Sequence, residues 1–395
     1  MVANQKETRL PTRVMVVFGT RPEAVKVAPI VRELNASQAF DCTVAVTGQH
    51  RHMLDQINDS FGIVPDVDLD VFAAGQGPSQ IAAKTLTSLD PVLETHEPHT
   101  VLVQGDTTTA LAAGLAAFYQ HIPVVHVEAG LRSGSLWSPF PEEANRRMLS
   151  QIATLHLCPT AANRDNLLAE GIDPATITVT GNPVIDALRL AVTFPHTVTD
   201  PLAAAAVKSP GPLVLVTSHR RESWGEPMER TALALARLAD QEPHATFLFP
   251  IHKNPIVRDI FFPVLRPKVN VVLTEPLDYL DLAQVLSAST LILTDSGGLQ
   301  EEGPSLGKPV LVLRDNTERP EGIAAGTAKL VGTDPDRIVA ETAHLLHDQA
   351  AYAAMATAIN PYGDGLAARR SLAALAACFA NGARLEDFDP TSSAP

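Results

Sequence analysis

The chain has 395 residues, 45% of them hydrophobic and 19% charged, with a formal net charge of −14. That length exceeds what one core usually fills, so two globular domains are expected. The acidic balance argues against nucleic acid as a partner, because a phosphate backbone needs a basic face, but it leaves room for a small anion that feels only its local field.

Cys42, Cys158 and Cys378 are far apart and form no CxxC, so neither a zinc site nor a disulfide framework is predicted, and a reducing cytoplasm fits. The thirteen histidines include no HExxH or other close ligand cluster, and no metal is expected. Met1–Thr12 has no apolar core of a secretory signal, and the Ala-rich run Ala110–Phe118 is too short to span a bilayer, so no membrane association is predicted.

The first strand, Val14–Phe18, ends in Gly19-Thr20-Arg21-Pro22-Glu23, and Pro22 suits the first turn of a helix predicted over Pro22–Asn35. Lys26 follows one turn later, so Arg21 and Lys26 could flank one anion. The segment is neither a P-loop nor a GxGxxG fingerprint, which removes support for ATP and NAD. Further strands are predicted at Thr43–Thr47, Thr100–Val103, Val124–Val127, Leu155–Cys158 and Ile177–Thr180, with helices between them such as Thr108–Tyr119. A looser region between about Leu190 and Pro212 marks a domain boundary. The pattern then restarts with strands at Leu213–Thr217, Thr246–Pro250, Val269–Leu273, Leu291–Thr294 and Pro309–Leu313. A last helix is predicted over Leu366–Phe379, after the turn Asn360–Gly365, and the tail beyond Arg384 is expected to be mobile. Runs that are apolar on both faces and separated by helices indicate doubly wound, parallel α/β units.

In open parallel sheets, ligands bind beyond the carboxyl ends of the strands. Gly19–Arg21, Gly48–His50, Gly105–Asp106, Glu128–Gly130, Ser218–Glu222 and Asp295–Gly298 all fall there, in both halves, so the expected site is a cleft between two domains.

The richest of these segments is Leu291–Glu302. An apolar strand stops at Asp295, Ser296-Gly297-Gly298 follow, and a helix begins whose free amides suit a diphosphate. Glu302, one turn in, can accept hydrogen bonds from ribose hydroxyls. An ordinary glycine-containing strand–helix turn would read the same way. Asp106 either caps the following helix or works as an acid or base. Glu128 ends an apolar strand, where a carboxylate is costly to bury without a partner. Glu142 and Glu143 either favour a helix start through its dipole, the preferred reading for Glu143, or contribute an acid. Asp106, Glu128 and Glu142 together supply the acid and base needed to move a carbon-bound proton on either face of a sugar. His219, Arg220 and Arg221 either hold a diphosphate or are a solvated charge run, and Arg319 is a candidate anion clamp. His252 is a weaker version of His219, His50 and His52 could line the first domain's face of the cleft, and His121 and His126 read as structural.

In order, GTRPEA, TGQHRHMLDQ, QGDTTTALAAGLAAFYQ, HVEAGLRSG, PFPEEANR, SHRRESWG, TDSGGLQEEGPSLGKPVLVLRD and TERPEG resemble the non-hydrolysing UDP-N-acetylglucosamine 2-epimerases of bacteria. The resemblance runs from Val14 to the Pro361–Gly365 turn. It implies a GT-B-like fold of two Rossmann-like domains: residues 1–195 joined by a C-terminal helix at about 364–384, then 196–363, with 385–395 a flexible tail. It also implies a homodimer that needs no cofactor. The activity implied is interconversion of UDP-GlcNAc and UDP-ManNAc, supplying ManNAc for cell-surface polysaccharide. The C2 proton and UDP would leave to give a 2-acetamidoglucal, and UDP would add back with a proton on the other face. On matching positions, Asp106, Glu128 and Glu142 are the proton-transfer acids and His219 acts near the diphosphate. Arg21, Lys26, Ser296, Gly297, Gly298, Glu302 and Arg319 bind the UDP-sugar. Gln49, His50 and His252 fall in a possible second, activating substrate site, although His52 departs from the family pattern there. Leu282 likewise stands where an aromatic residue often lies near the uracil. The alternatives are a GT-B glycosyltransferase and a hydrolysing 2-epimerase.

Overall fold

A computed structural model describes residues 10–48, 51–72 and 75–391. Its first sheet is built from β1 (Thr12–Phe18), β2 (Phe40–Val46), β3 (Val67–Asp68), β4 (Thr100–Gln104), β5 (Val124–Val127), β6 (Leu155–Cys158) and β7 (Ile177–Val179). The second contains β8 (Leu213–Thr217), β9 (Thr246–Pro250), β10 (Val271–Thr274), β11 (Leu291–Thr294), β12 (Val310–Val312) and β13 (Ala328–Leu330). The strand orders are β3-β2-β1-β4-β5-β6-β7 and β10-β9-β8-β11-β12-β13. All pairings are parallel. Strand order therefore reverses between β1 and β4 in one sheet and between β8 and β11 in the other. Those are the crevices where such sheets take ligands.

The chain divides into two compact units. One comprises residues up to Ala187 together with Gly365–Asp389, and the main stretch of the other is Leu188–Asp364. The central strands explain why each sheet is covered on both faces: Met15, Val16, Val17 and Phe18 are fully buried, as are Val214, Leu215 and Val216. Phe249 and Phe261 meet edge to face, centroids 4.8 Å apart, in the second core.

Local chemistry sets the helix starts that matter. Helix Arg21–Ala36 begins with a capping box in which Thr20 and Glu23 satisfy each other's amides. Helix Thr108–Tyr119 is capped by Thr107, whose hydroxyl accepts from the Ala110 amide. The last helix, Ala367–Phe379, has its first amides taken by the Asp186 carboxylate, at 3.2 Å from Ala367 and 2.9 Å from Ala368.

Several expectations need correction. The edge strands β3 and β13 are additions to the predicted set. The third strand of the second sheet starts at Val271, two residues late, because Val269 is fully exposed. The segment after Arg384 is not free: Phe388 is buried, its amide donates to the Val179 carbonyl at 2.7 Å, and Arg370 lies 5.5 Å from its ring centroid. One aromatic ring outweighs the polar composition around it. Among the described residues, no helix is long and apolar enough to cross a membrane.

Candidate active site

In the first unit the candidate acids gather on the loops after β4 and β5 and at the start of helix Glu142–Ile152. The loop after β1 is held from within. Glu23 is buried and accepts from the Gly19 and Thr20 amides at 3.0 and 2.7 Å and from the Thr107 hydroxyl at 2.6 Å. Burial raises its pKa, and those hydrogen bonds work in the other direction. Glu23 thereby ties the turn after β1 to the turn after β4.

Glu128 leaves β5 with φ +65°, a conformation that turns its side chain out of the strand's alternation. Lys26 Nζ donates to both of its carboxylate oxygens, at 2.6 and 2.7 Å, and Gln104 Nε2 donates at 2.5 Å. Lys26, expected to flank an anion beside Arg21, is therefore given a carboxylate partner. The Arg21 guanidinium has no hydrogen bond or ion pair among the described residues.

Asp106 is not the helix cap, since Thr107 performs that task. One of its oxygens, Oδ2, accepts from Arg146 Nη2 at 2.6 Å, and its backbone carbonyl accepts from Asn145 Nδ2 at 2.8 Å. Behind it, His126 is fully buried with Nε2 2.8 Å from the Gly105 carbonyl. Burial pushes the His126 pKa down to about 4 against that hydrogen bond, so the ring is neutral and Nε2–H is the donor.

Glu142 and Glu143 are adjacent and differ completely. The Glu143 carboxylate is buried and accepts from the Ser133 amide, Arg146 Nη1 and Arg147 Nε at 2.9, 3.0 and 2.9 Å. Burial opposes its charge, but these partners prevail and its pKa is lowered. That is more than a dipole contact: Glu143 anchors two arginines. The half-buried Glu142 carboxylate has no hydrogen bond or ion pair among the described residues.

The second unit offers an anion face. Buried Asp295 joins the ends of β8 and β11: its Oδ2 accepts from the His219 and Arg220 amides at 2.7 and 2.9 Å and from the Ser218 hydroxyl at 3.2 Å. Its Oδ1 lies 3.4 Å from His219 Nδ1, and the His219 ring is partly exposed. His252 stacks on that ring, centroids 6.0 Å apart and planes within 18°. Burial, then the neighbouring His219 and Arg258, lowers the His252 pKa.

Helix Gly297–Ser305 starts next to this group. The Ser296 side chain makes no capping bond, so the first-turn amides are left for another acceptor. A Cβ on Gly297 would stand 2.9 Å from Glu318 Oε1 and 3.2 Å from Arg220 Nη2, so glycine lets that pair press against the helix start. Arg220 donates to Glu318 at 2.7 Å, and Arg314 bridges Glu318 and Glu222 at 2.6 and 2.7 Å. Burial would raise the Glu318 pKa, but its own amide and the two arginines hold it at about 2. His219, Arg220 and Glu222 thus belong to a network rather than a solvated charge run, whereas Arg221 is exposed. Arg319 pairs with buried Glu301, and both are braced from the Asn360–Gly365 turn. There Asn360 Nδ2 donates to the Glu301 carbonyl at 2.9 Å, and Tyr362 OH donates to the Arg319 carbonyl at 3.0 Å. Glu302 sits one turn into the helix, where a Cβ on Gly298 would be 3.4 Å from its Oε2.

Gln49 and His50 lie outside the described residues, as does the side chain of His52. Sequence reasoning missed Arg146, Asp295 as a link between strand ends, and the Arg314–Glu318 pair. Arg146 was detectable, because it stands three and four residues after two glutamates on one helix.

Two parallel α/β units, with carboxylates on the loops after β4 and β5 of one and amides with basic side chains on the switch-point loops of the other, define a GT-B-like protein. The profile of the UDP-N-acetylglucosamine 2-epimerase family matches residues 32–376. The chain is 50% identical over 368 residues to the UDP-N-acetylglucosamine 2-epimerase of Salmonella typhimurium, covering 92% of this chain and 98% of that one. It is 49% identical over 360 residues to the enzyme of that name from Bacillus subtilis, covering 91% and 93%. A crystal structure of UDP-GlcNAc 2-epimerase from Neisseria meningitidis bound to UDP-GlcNAc superposes with a TM-score of 0.81 at 45% identity, covering 91% and 98%. The chain belongs to the UDP-N-acetylglucosamine 2-epimerase family.

Proposed function

We propose that the protein interconverts UDP-GlcNAc and UDP-ManNAc without hydrolysis, by eliminating UDP to a 2-acetamidoglucal and adding it back. The observation that carries this reading is three carboxylates in three different settings, two on the loops after β4 and β5 and one at the start of the helix that also supplies Arg146 to Asp106. Asp106 has one oxygen on Arg146, Glu128 is clasped by Lys26 and Gln104, and Glu142 has no partner among the described residues. The C2 proton is not next to a carbonyl, so enolisation is unavailable. Its electrons can leave only as the C1–O bond breaks. Removing a proton from one face and returning it to the other requires at least two positioned acid–base groups.

The leaving diphosphate would be received by the amides of Gly297 and Gly298 beside Ser296, with His219 and Arg220 against it. In this reading Arg220 exchanges Glu318 for phosphate, Arg319 adds positive charge, and Glu302 takes the ribose hydroxyls. Lys26 acts on the acid Glu128. The relative from Neisseria meningitidis, whose structure holds UDP-GlcNAc, supports the substrate.

Proton NMR of UDP-GlcNAc with the enzyme in D2O tests the proposal. UDP-ManNAc carrying deuterium at C2, with no build-up of UDP, is the expected result. Free ManNAc with UDP would replace it with a hydrolysing mechanism. An unchanged spectrum would remove epimerisation from consideration and favour a transferase.

A further inference from the structure

We propose that Arg146 is a positioning residue for Asp106, and that Glu143 is its standing counter-ion, so that Asp106 can gain and lose a proton without stranding a buried charge. The inference rests on the reading of Asp106 as a proton-transfer acid.

Arg146 is 5% exposed and divides its guanidinium between two carboxylates: Nη1 on Glu143 at 3.0 Å and Nη2 on Asp106 at 2.6 Å. The two partners are unequal. Glu143 is fully buried and also accepts from Ser133 and Arg147, so its anion is locked in place. Asp106 is partly exposed, with a single side-chain bond, on Oδ2, while Oδ1 has no partner among the described residues. A buried arginine left without an anion is strongly unfavourable. If Asp106 were its only partner, protonating Asp106 would create that state. Glu143 prevents it, so the Arg146 charge stays balanced whichever form Asp106 takes.

The geometry adds orientation. Asn145 fixes the Asp106 backbone carbonyl and Arg146 fixes Oδ2, both from the helix that begins at Glu142. Residues four apart share a helix face, so Arg146 lies one turn below Glu142. One rigid element thus carries one candidate acid and aims another.

The test is a double-mutant cycle on kcat with Arg146→Lys and Asp106→Asn, with KM, melting temperature and C2 deuterium incorporation measured for each enzyme. Lysine keeps the charge but cannot span two carboxylates with a planar fork. Arg146→Lys is expected to lower kcat by roughly a hundredfold, the scale of a 1 Å misplacement, with KM within about threefold. In the Asp106→Asn background the same change should cost less than about threefold. Equal losses in both backgrounds, or no loss at all, would overturn the proposal. If Arg146→Lys does not fold, Glu143→Gln takes its place. Arg146 then has Asp106 as its remaining carboxylate partner, so kcat should fall. Adding Asp106→Asn should lower the melting temperature by more than the two single losses summed, because Arg146 then has neither carboxylate. Additive losses would overturn the proposal. Failure of the wild-type enzyme to place deuterium at C2 would instead refute the epimerase reading, separately from this one.

Discussion

Lys26 and His126 show how a side chain's worth depends on what it faces. Lys26 bonds both oxygens of Glu128, so Lys26→Met should cripple turnover while UDP affinity, measured by calorimetry, changes less than about threefold. A charge-assisted bond to phosphate would instead make the loss about tenfold or more, and that outcome would return Lys26 to the nucleotide. His126 is fully buried on β5, with its pKa near 4 against about 6.5 in an unfolded chain. Between those values the unfolded chain takes up a proton that the folded one refuses. Its contribution is therefore complete above about pH 6.5 and is lost as pH falls toward 4, by on the order of 3 kcal/mol. His156 on β6 is shifted in the same direction by burial. Urea unfolding at about pH 7.5 and about pH 5, on either side of the ordinary histidine range, should show a larger drop for wild type than for His126→Gln, and equal drops would refute the assignment. His126 already read as structural in the sequence, but the role of Lys26 was not legible there. A lysine one turn into a helix after a strand looks like an anion clamp, and its carboxylate partner stands on another strand end far along the chain.

The exit of β5 carries the same lesson at the scale of elements. Glu128 and Gly130 have φ of +65° and +86°, and the chain there runs against helix Ala161–Ala169. A Cβ on Gly130 would lie 2.1 Å from the Asn163 carbonyl oxygen, and Asn166 Nδ2 donates to the Gly130 carbonyl at 3.0 Å. Backbone has no rotamer with which to yield, so Gly130→Ala should cost at least about 2 kcal/mol and move Glu128 with it. A melting curve and kcat measured together check this, and a variant with wild-type values for both would show the contact to be loose. The interior strands were readable because both faces are buried and the runs are apolar throughout. β3 and β13 are two and three residues long at sheet edges and only partly buried, too short to show any period. The glycine-rich turn before helix Gly297–Ser305 was also legible. What sets its charge, Arg220 on Glu318 and Arg314 behind it, depends on contacts between loops that no local pattern records.

The path of the whole chain makes the first unit dependent on its last residues. The second unit's main stretch, Leu188–Asp364, is continuous, whereas the first is completed only when Gly365–Asp389 returns to it. That return buries Ala367, Ala368, Ala374, Leu375 and Phe388. It also brings the amides of Ala367 and Ala368 to the buried Asp186 carboxylate, and lets Arg370 and Arg384 donate to the Thr180 and Ile177 carbonyls. Removing it would expose apolar surface and take those donors from a buried carboxylate, each of which costs stability. Truncation after Asp364 is therefore expected to abolish the cooperative unfolding of the first unit and all turnover. The contiguous second unit should still bind UDP with nearly wild-type affinity. Phe388→Ala is the milder form: full length, with a loss of about 3 kcal/mol, the low end for deleting a buried phenyl ring, because a segment near the chain end can relax into the space. Calorimetric unfolding with and without UDP separates the two units, since only the one that binds the nucleotide shifts upward with it. A truncated chain that keeps both transitions would show that the returning helix is an ornament of the first unit, and a chain that loses both would show that the second cannot stand without it.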